Sequence, residues 1–114
     1  MDTTIYHNPR CSKSRQALDY LRERGIEPEI VRYLEVTPGV DKLKELIDAA
    51  GITVHDAVRT REPAYRELGL GTDTPDEELL AAMVAHPRLI ERPFVVTDKG
   101  VRIARPTEAI DDIL

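Results

Sequence analysis

Two short apolar runs separated by one helix-length segment constrain this chain more than any other feature. Thr4-Ile5-Tyr6 is the first run, and Glu29-Ile30-Val31-Arg32-Tyr33-Leu34 is the second. Between them, Ser12 to Arg24 carries Ala17, Leu18 and Leu21 at helical spacing and stops at Gly25. A connection of that size predicts a parallel, right-handed βαβ crossover. The loop His7-Asn8-Pro9-Arg10-Cys11 then lies at the carboxyl end of the first strand, the edge at which open α/β sheets bind ligands.

The middle of the chain reads as helical. Val40, Leu43, Leu46 and Ile47 repeat at helical spacing before Gly51, and Thr53 to Val58 and Pro63 to Leu68 read as shorter helices. Thr74-Pro75-Asp76-Glu77 has the form of a capping box with proline at the first helical position, leading into the run Leu79 to Ala85. No strand pattern interrupts residues 36–86, so a helical insertion over about 37–87 is expected. Strand character returns in Pro93-Phe94-Val95-Val96-Thr97, and a turn at Asp98-Lys99-Gly100 joins it to Val101-Arg102-Ile103-Ala104. Thr107 opens a last helix with Ile110, Ile113 and Leu114 on its apolar face. The expected architecture is α/β, a thioredoxin-like βαβ-(helical insertion)-ββα order with a mixed four-stranded sheet flanked by helices. All 114 residues are expected to form one such domain. Pro93 begins the third strand after Arg92, where thioredoxin-like folds place a cis-proline beside the active thiol; a trans-proline at a strand start is the alternative.

Cys11 is the only cysteine in the chain. At a helix N-terminus a thiol faces unpaired backbone N–H groups and the positive end of the helix dipole, which favour the thiolate. His7, Arg10, Lys13 and Arg15 lie within a few positions and add cationic character. Cys11 is therefore the nucleophile candidate. Ser14 stands where a dithiol oxidoreductase has its second cysteine; its hydroxyl can donate to a thiolate but cannot resolve a disulfide, and helix capping is its other reading. Asn8 suits an Asx-type role in the loop. His7 has two open readings, a cation beside the thiolate or a hydrogen-bonded loop residue. Arg10 puts a bulky cation directly before the nucleophile.

Several function classes are disfavoured. One cysteine permits no internal disulfide and no cysteine cluster for zinc, and His55 and His86 show no metal-ligand spacing, so no metal is expected. No apolar run approaches the roughly 18 residues of a membrane span, and the start of the chain is unlike a signal peptide; a cytoplasmic protein is expected. The formal charge of −5 argues against general nucleic-acid affinity, although local arginines can bind small anions.

The thiol loop Ile5-Tyr6-His7-Asn8-Pro9-Arg10-Cys11-Ser12-Lys13-Ser14-Arg15, together with Tyr33-Leu34-Glu35, Arg59, Glu62-Pro63, Leu68-Gly69-Leu70, His86-Pro87, Glu91-Arg92-Pro93 and Arg105-Pro106, resembles the glutaredoxin-linked arsenate reductase family over nearly the whole chain. The resemblance implies that Cys11 attacks arsenate to form a thiol–arsenate adduct. It further implies that glutathione attacks the adduct as co-substrate and that glutaredoxin resolves the resulting mixed disulfide. No bound cofactor is implied. By motif position Arg59, Arg92 and Arg105 would bind the oxyanion, with His7, Asn8, Ser14 and Pro93 supporting the thiolate and its loop. Guanidinium chemistry agrees, because a planar fork meets a tetrahedral oxyanion with two parallel hydrogen bonds. Arg61 and Arg66 are read as surface residues. Two alternatives stand beside this reading: another glutathione-dependent thiol oxidoreductase, and a non-redox, Spx-like regulator that binds RNA polymerase.

Overall fold

The computed structural model describes residues 2–91 and 93–114. Two compact units partition the chain, one formed by residues 1–36 with 92–114 and the other by residues 37–91.

The first unit is built on a sheet. Strand β1 (Thr4–Tyr6) leads into helix α1 (Ser12–Glu23), and strand β2 (Glu29–Val31) returns parallel to β1, with Ile5 opposite Ile30. Strands β3 (Phe94–Thr97) and β4 (Gly100–Ile103) form an antiparallel hairpin that joins β1 through the pair Ile5 and Val95. The order across the sheet is β2-β1-β3-β4, a mixed α/β arrangement of thioredoxin-like type. Ile5 and Val95 point to the same face, where they meet Ala17, Leu18 and Leu21 of α1 and Ile110 and Ile113 of a final 3-10 helix, Thr107–Ile113. Burial of these aliphatic side chains, at roughly 25 cal/mol per Å², is what holds α1 to the sheet.

The second unit is helical. Helix α2 (Val40–Ala49) buries Leu43, Leu46 and Ile47, and helix α4 (Asp76–Ala85) buries Leu79, Leu80 and Met83 against it. A 3-10 turn, His55–Ala57, and the short helix α3 (Pro63–Glu67) lie between them, and a second 3-10 turn, Pro87–Leu89, follows α4. The Val58–Ile90 bridge closes this unit, with the Arg59 amide donating to Leu89 O at 2.7 Å and the Glu91 amide donating to Ala57 O at 2.7 Å.

The elements differ from their sequence patterns mainly at the edges. β2 ends at Val31 rather than Leu34, because the amides of Glu35 and Val36 turn back to Arg32 O at 2.9 and 2.8 Å. α4 starts at Asp76 with Pro75 as its N-cap. Thr74 does not cap the helix; its Oγ1 instead accepts the Gly71 amide at 2.8 Å. The stretch Thr53 to Val58 forms only a 3-10 turn, and the last helix is 3-10 rather than α.

Candidate active site

Strand register determines which residues gather at one edge of the sheet. Tyr6, the last residue of β1, lies opposite Phe94, the first of β3, and Phe94 lies opposite Ile103, the last of β4. The thiol loop after β1, Pro93 before β3 and Ala104-Arg105 after β4 therefore emerge at the same edge, and Pro93 O accepts the Ala104 amide at 2.9 Å. The His7 amide donates to Val31 O at 2.7 Å, fastening the start of the loop to the end of β2.

Cys11 is the N-cap residue of α1 and is half-buried. The loop that presents it is tied down at every step. The Cys11 amide donates to Asn8 O at 3.0 Å, the Arg10 amide donates to Asn8 Oδ1 at 3.0 Å in an Asx turn, and Arg15 Nη1 donates to Pro9 O at 2.8 Å. Asn8 is thus a structural brace for the backbone on both sides of Pro9.

Ser14 is fully buried. It shares the α1 stripe of Ala17, Leu18 and Leu21, which turns its hydroxyl inward. There Oγ accepts the Asn8 amide at 3.1 Å and lies 2.6 Å from His7 Nδ1. The helical spacing 14, 17, 18, 21 was the sequence signal for this inward placement. His7 is itself only 6% exposed. Burial pushes its pKa below the ordinary imidazole range, and the positive charges of Arg32, Arg22 and Arg15 push the same way.

The arginines fall into different settings. Arg105 is exposed at the thiol edge, and the peptide bond between it and Pro106 is cis. Arg92 and the Arg92-Pro93 bond, for which a cis form is expected, lie outside the described residues. Arg59 belongs to the helical unit and is about three-quarters buried; its Nη1 donates to Glu62 Oε2 at 3.2 Å and its Nε lies 3.9 Å from Glu91 Oε1. These two carboxylates are the partners that sequence reasoning missed. Arg61 and Arg66 are exposed, and together with Thr60, Glu62, Pro63 and Glu67 they line an open cavity of about 580 Å³. His55 Nε2 donates to Thr74 O at 3.0 Å, a structural tie to the start of α4, and His86 is exposed. Among the described residues no cluster of three or more His, Cys, Asp or Glu could hold a metal ion, and no helix is long and apolar enough to cross a membrane.

The profile of the ArsC family matches residues 6–113, which takes in the thiol loop, the helical unit and the hairpin. The chain belongs to the ArsC family. Among its relatives, the arsenate reductase of Rhizobium meliloti (strain 1021) is 50% identical over 115 residues, covering 100% of this chain and 82% of that protein. The uncharacterized protein YfgD of Escherichia coli (strain K12) is 45% identical over 112 residues, covering 96% of this chain and 94% of that protein. Among solved structures, an arsenate reductase from Vibrio cholerae superposes with a TM-score of 0.95 at 45% identity, covering 100% of this chain and 98% of that one. ArsC membership therefore extends through both compact units of the chain, and the thioredoxin-like sheet is shared with a solved relative over its full length.

Proposed function

We propose that the protein is an arsenate reductase in which Cys11 is the nucleophile. The observation that carries this reading is the setting of Cys11: a half-buried cysteine at the N-cap of a 12-residue helix, next to a loop in which burial first, and then the positive charges of Arg32, Arg22 and Arg15, hold the His7 pKa down. A positive field that disfavours an imidazolium favours an adjacent thiolate and an incoming oxyanion by the same Coulomb interaction. The names of the relatives supply the oxyanion; the thiol site is chemically suited to it.

In this reading the Cys11 thiolate attacks the arsenic of arsenate, and an oxygen leaves as water after protonation. Arg59, Arg92 and Arg105 offset the substrate charge, and guanidinium forks suit its tetrahedral oxygens. Ser14 cannot supply a resolving thiol, so the second thiol comes from outside the chain. Glutathione attacks the Cys11 sulfur of the adduct, two electrons pass to arsenic, and arsenite leaves a Cys11–glutathione mixed disulfide. A glutaredoxin thiolate then attacks the glutathione sulfur of that disulfide, so that Cys11 leaves as thiolate and glutathione is carried off as a glutaredoxin mixed disulfide. The absence of a second chain cysteine favours this cytoplasmic, small-thiol-dependent cycle over an internal dithiol mechanism.

The deciding experiment is a coupled assay of arsenate reduction with glutathione, with and without glutaredoxin. Arsenite formation that requires both thiol sources is the expected result. Turnover of mixed disulfides with no effect of arsenate would instead identify a general glutathione-dependent oxidoreductase.

A further inference from the structure

We infer that the Ser14 hydroxyl holds His7 as its neutral Nε2–H tautomer, so that Ser14 is a positioning residue of the thiol loop and His7 offers a proton donor at Nε2. The argument is an accounting of protons. The Asn8 amide can only donate, so at 3.1 Å it occupies one lone pair of Ser14 Oγ. Ser14 is fully buried on the core-facing stripe of α1, where water does not reach it. Its own proton must go to the remaining partner among the described residues, His7 Nδ1 at 2.6 Å. That short O–H···N bond requires Nδ1 to be bare, and a neutral ring with bare Nδ1 carries its proton on Nε2.

The opposite assignment fails the same accounting. If Nδ1 carried the proton, Ser14 Oγ would accept two hydrogen bonds and its hydroxyl proton would be left without an acceptor in an apolar layer. A doubly protonated ring meets that problem and a second one. Among the described residues, the charges that shift His7 are those of Arg15 and Arg22 from α1 and Arg32 from the segment after β2, all of the same sign as an imidazolium.

The consequence for chemistry rests on the reading of Cys11 as the nucleophile. With its proton fixed on Nε2, His7 in the resting protein is excluded as a general base at that nitrogen and is available as a hydrogen-bond donor. The spacing His7-x6-Ser14 spans Cys11, so the pair also clasps the loop from both sides of the thiol.

Heteronuclear NMR of the full chain, labelled at the histidine ring nitrogens, tests the assignment. At neutral pH a bare Nδ1 and a protonated Nε2 are expected for His7; a protonated Nδ1 overturns the inference. In Ser14→Ala the neutral ring loses its donor, so His7 should populate both tautomers and titrate at a higher pH than in the parent protein. An unchanged tautomer and titration in that variant would also overturn it. Should Ser14→Ala fail to fold, the measurement on the parent protein decides alone. The readout is independent of arsenate turnover: a protein inert towards arsenate but holding this tautomer would remove the proposed function and leave the His7 assignment standing.

Discussion

Arg59 and Glu91 each follow a residue of the Val58–Ile90 bridge, and this register brings guanidinium Nε to 3.9 Å from the Glu91 carboxylate. Glu62, three residues on, accepts from Nη1 at 3.2 Å. Arg59 therefore sits between two carboxylates inside the helical unit, and its contribution to stability must be separated from any part in anion binding.

Arg59→Ala removes the guanidinium that Glu62 and Glu91, each only about one-fifth exposed, share. Because the cluster is partly screened by solvent, the expected loss is about 1–2 kcal/mol, read by urea denaturation. Adding Glu62→Gln to Arg59→Ala removes one stranded charge and should restore part of that stability. Arsenate turnover should stay depressed in the double variant. Equal recovery of turnover and stability would give Arg59 a structural role only.

Stability should depend on pH through His7. Its folded pKa lies below the unfolded value near 6.5, so between the two the unfolded chain binds more protons than the folded one. Folding stability is then fully present above about pH 6.5 and falls as the pH drops through the folded pKa, with a slope of at most about 1.4 kcal/mol per pH unit from this group. His7→Gln should remove this component of the slope in denaturation series at several pH values. A slope identical in the parent and the variant would assign the acid sensitivity to other groups.

Cys11 should titrate below the roughly 8.5 of an unperturbed thiol, because it caps the N-terminus of α1, whose first turn carries Lys13 and Arg15. Thiolate absorbance against pH measures this directly. Cys11→Ser should abolish arsenate reduction and leave circular dichroism unchanged, since the exchange is nearly isosteric and the loop is held by backbone bonds to Asn8 and Pro9.

Arg105 and the pair Arg61 and Arg66 are all exposed, but only Arg105 follows the strand end that shares an edge with the thiol loop. Losing a charge-assisted contact worth about 1.5–3 kcal/mol, Arg105→Ala should lower kcat/KM for arsenate by about tenfold to a hundredfold. Arg105→Lys should recover part of it, since the charge remains and the fork is lost. Arg61→Ala and Arg66→Ala should change turnover little. A loss at Arg61 or Arg66 as large as at Arg105 would move the anion site to the cavity beside α3.

The sheet could be read from sequence because its signals are local. The apolar runs at Ile5 and Val95 and the Ala17, Leu18, Leu21 stripe each specify one element, and their order specifies the crossover. The length of β2 was not legible, because Arg32-Tyr33-Leu34 continues the strand pattern while the backbone turns at Arg32 O. The start of α4 was misplaced for a related reason: Thr74 has the side chain of a cap, but the Gly71 amide takes it first. At the site, Cys11 announced itself by residue type and position. The pairing of Arg59 with Glu91 did not, because it depends on a bridge between segments distant in sequence. Ser14 lay between these cases: its place on the buried stripe was visible, and its bond to His7 followed only from the folded loop.

The end of β3 opposite the thiol loop is closed by a different set of contacts. Thr97 Oγ1 donates to Ile113 O at 2.6 Å, and Lys99 Nζ donates to Leu114 O at 2.8 Å, so the Asp98-Lys99 turn and the Ile113 and Leu114 carbonyls share the rim away from Cys11. A support, dye or fusion partner attached at Asp98 would therefore sit at the end of the sheet away from Cys11. The sheet then serves as a spacer one strand long between handle and thiol.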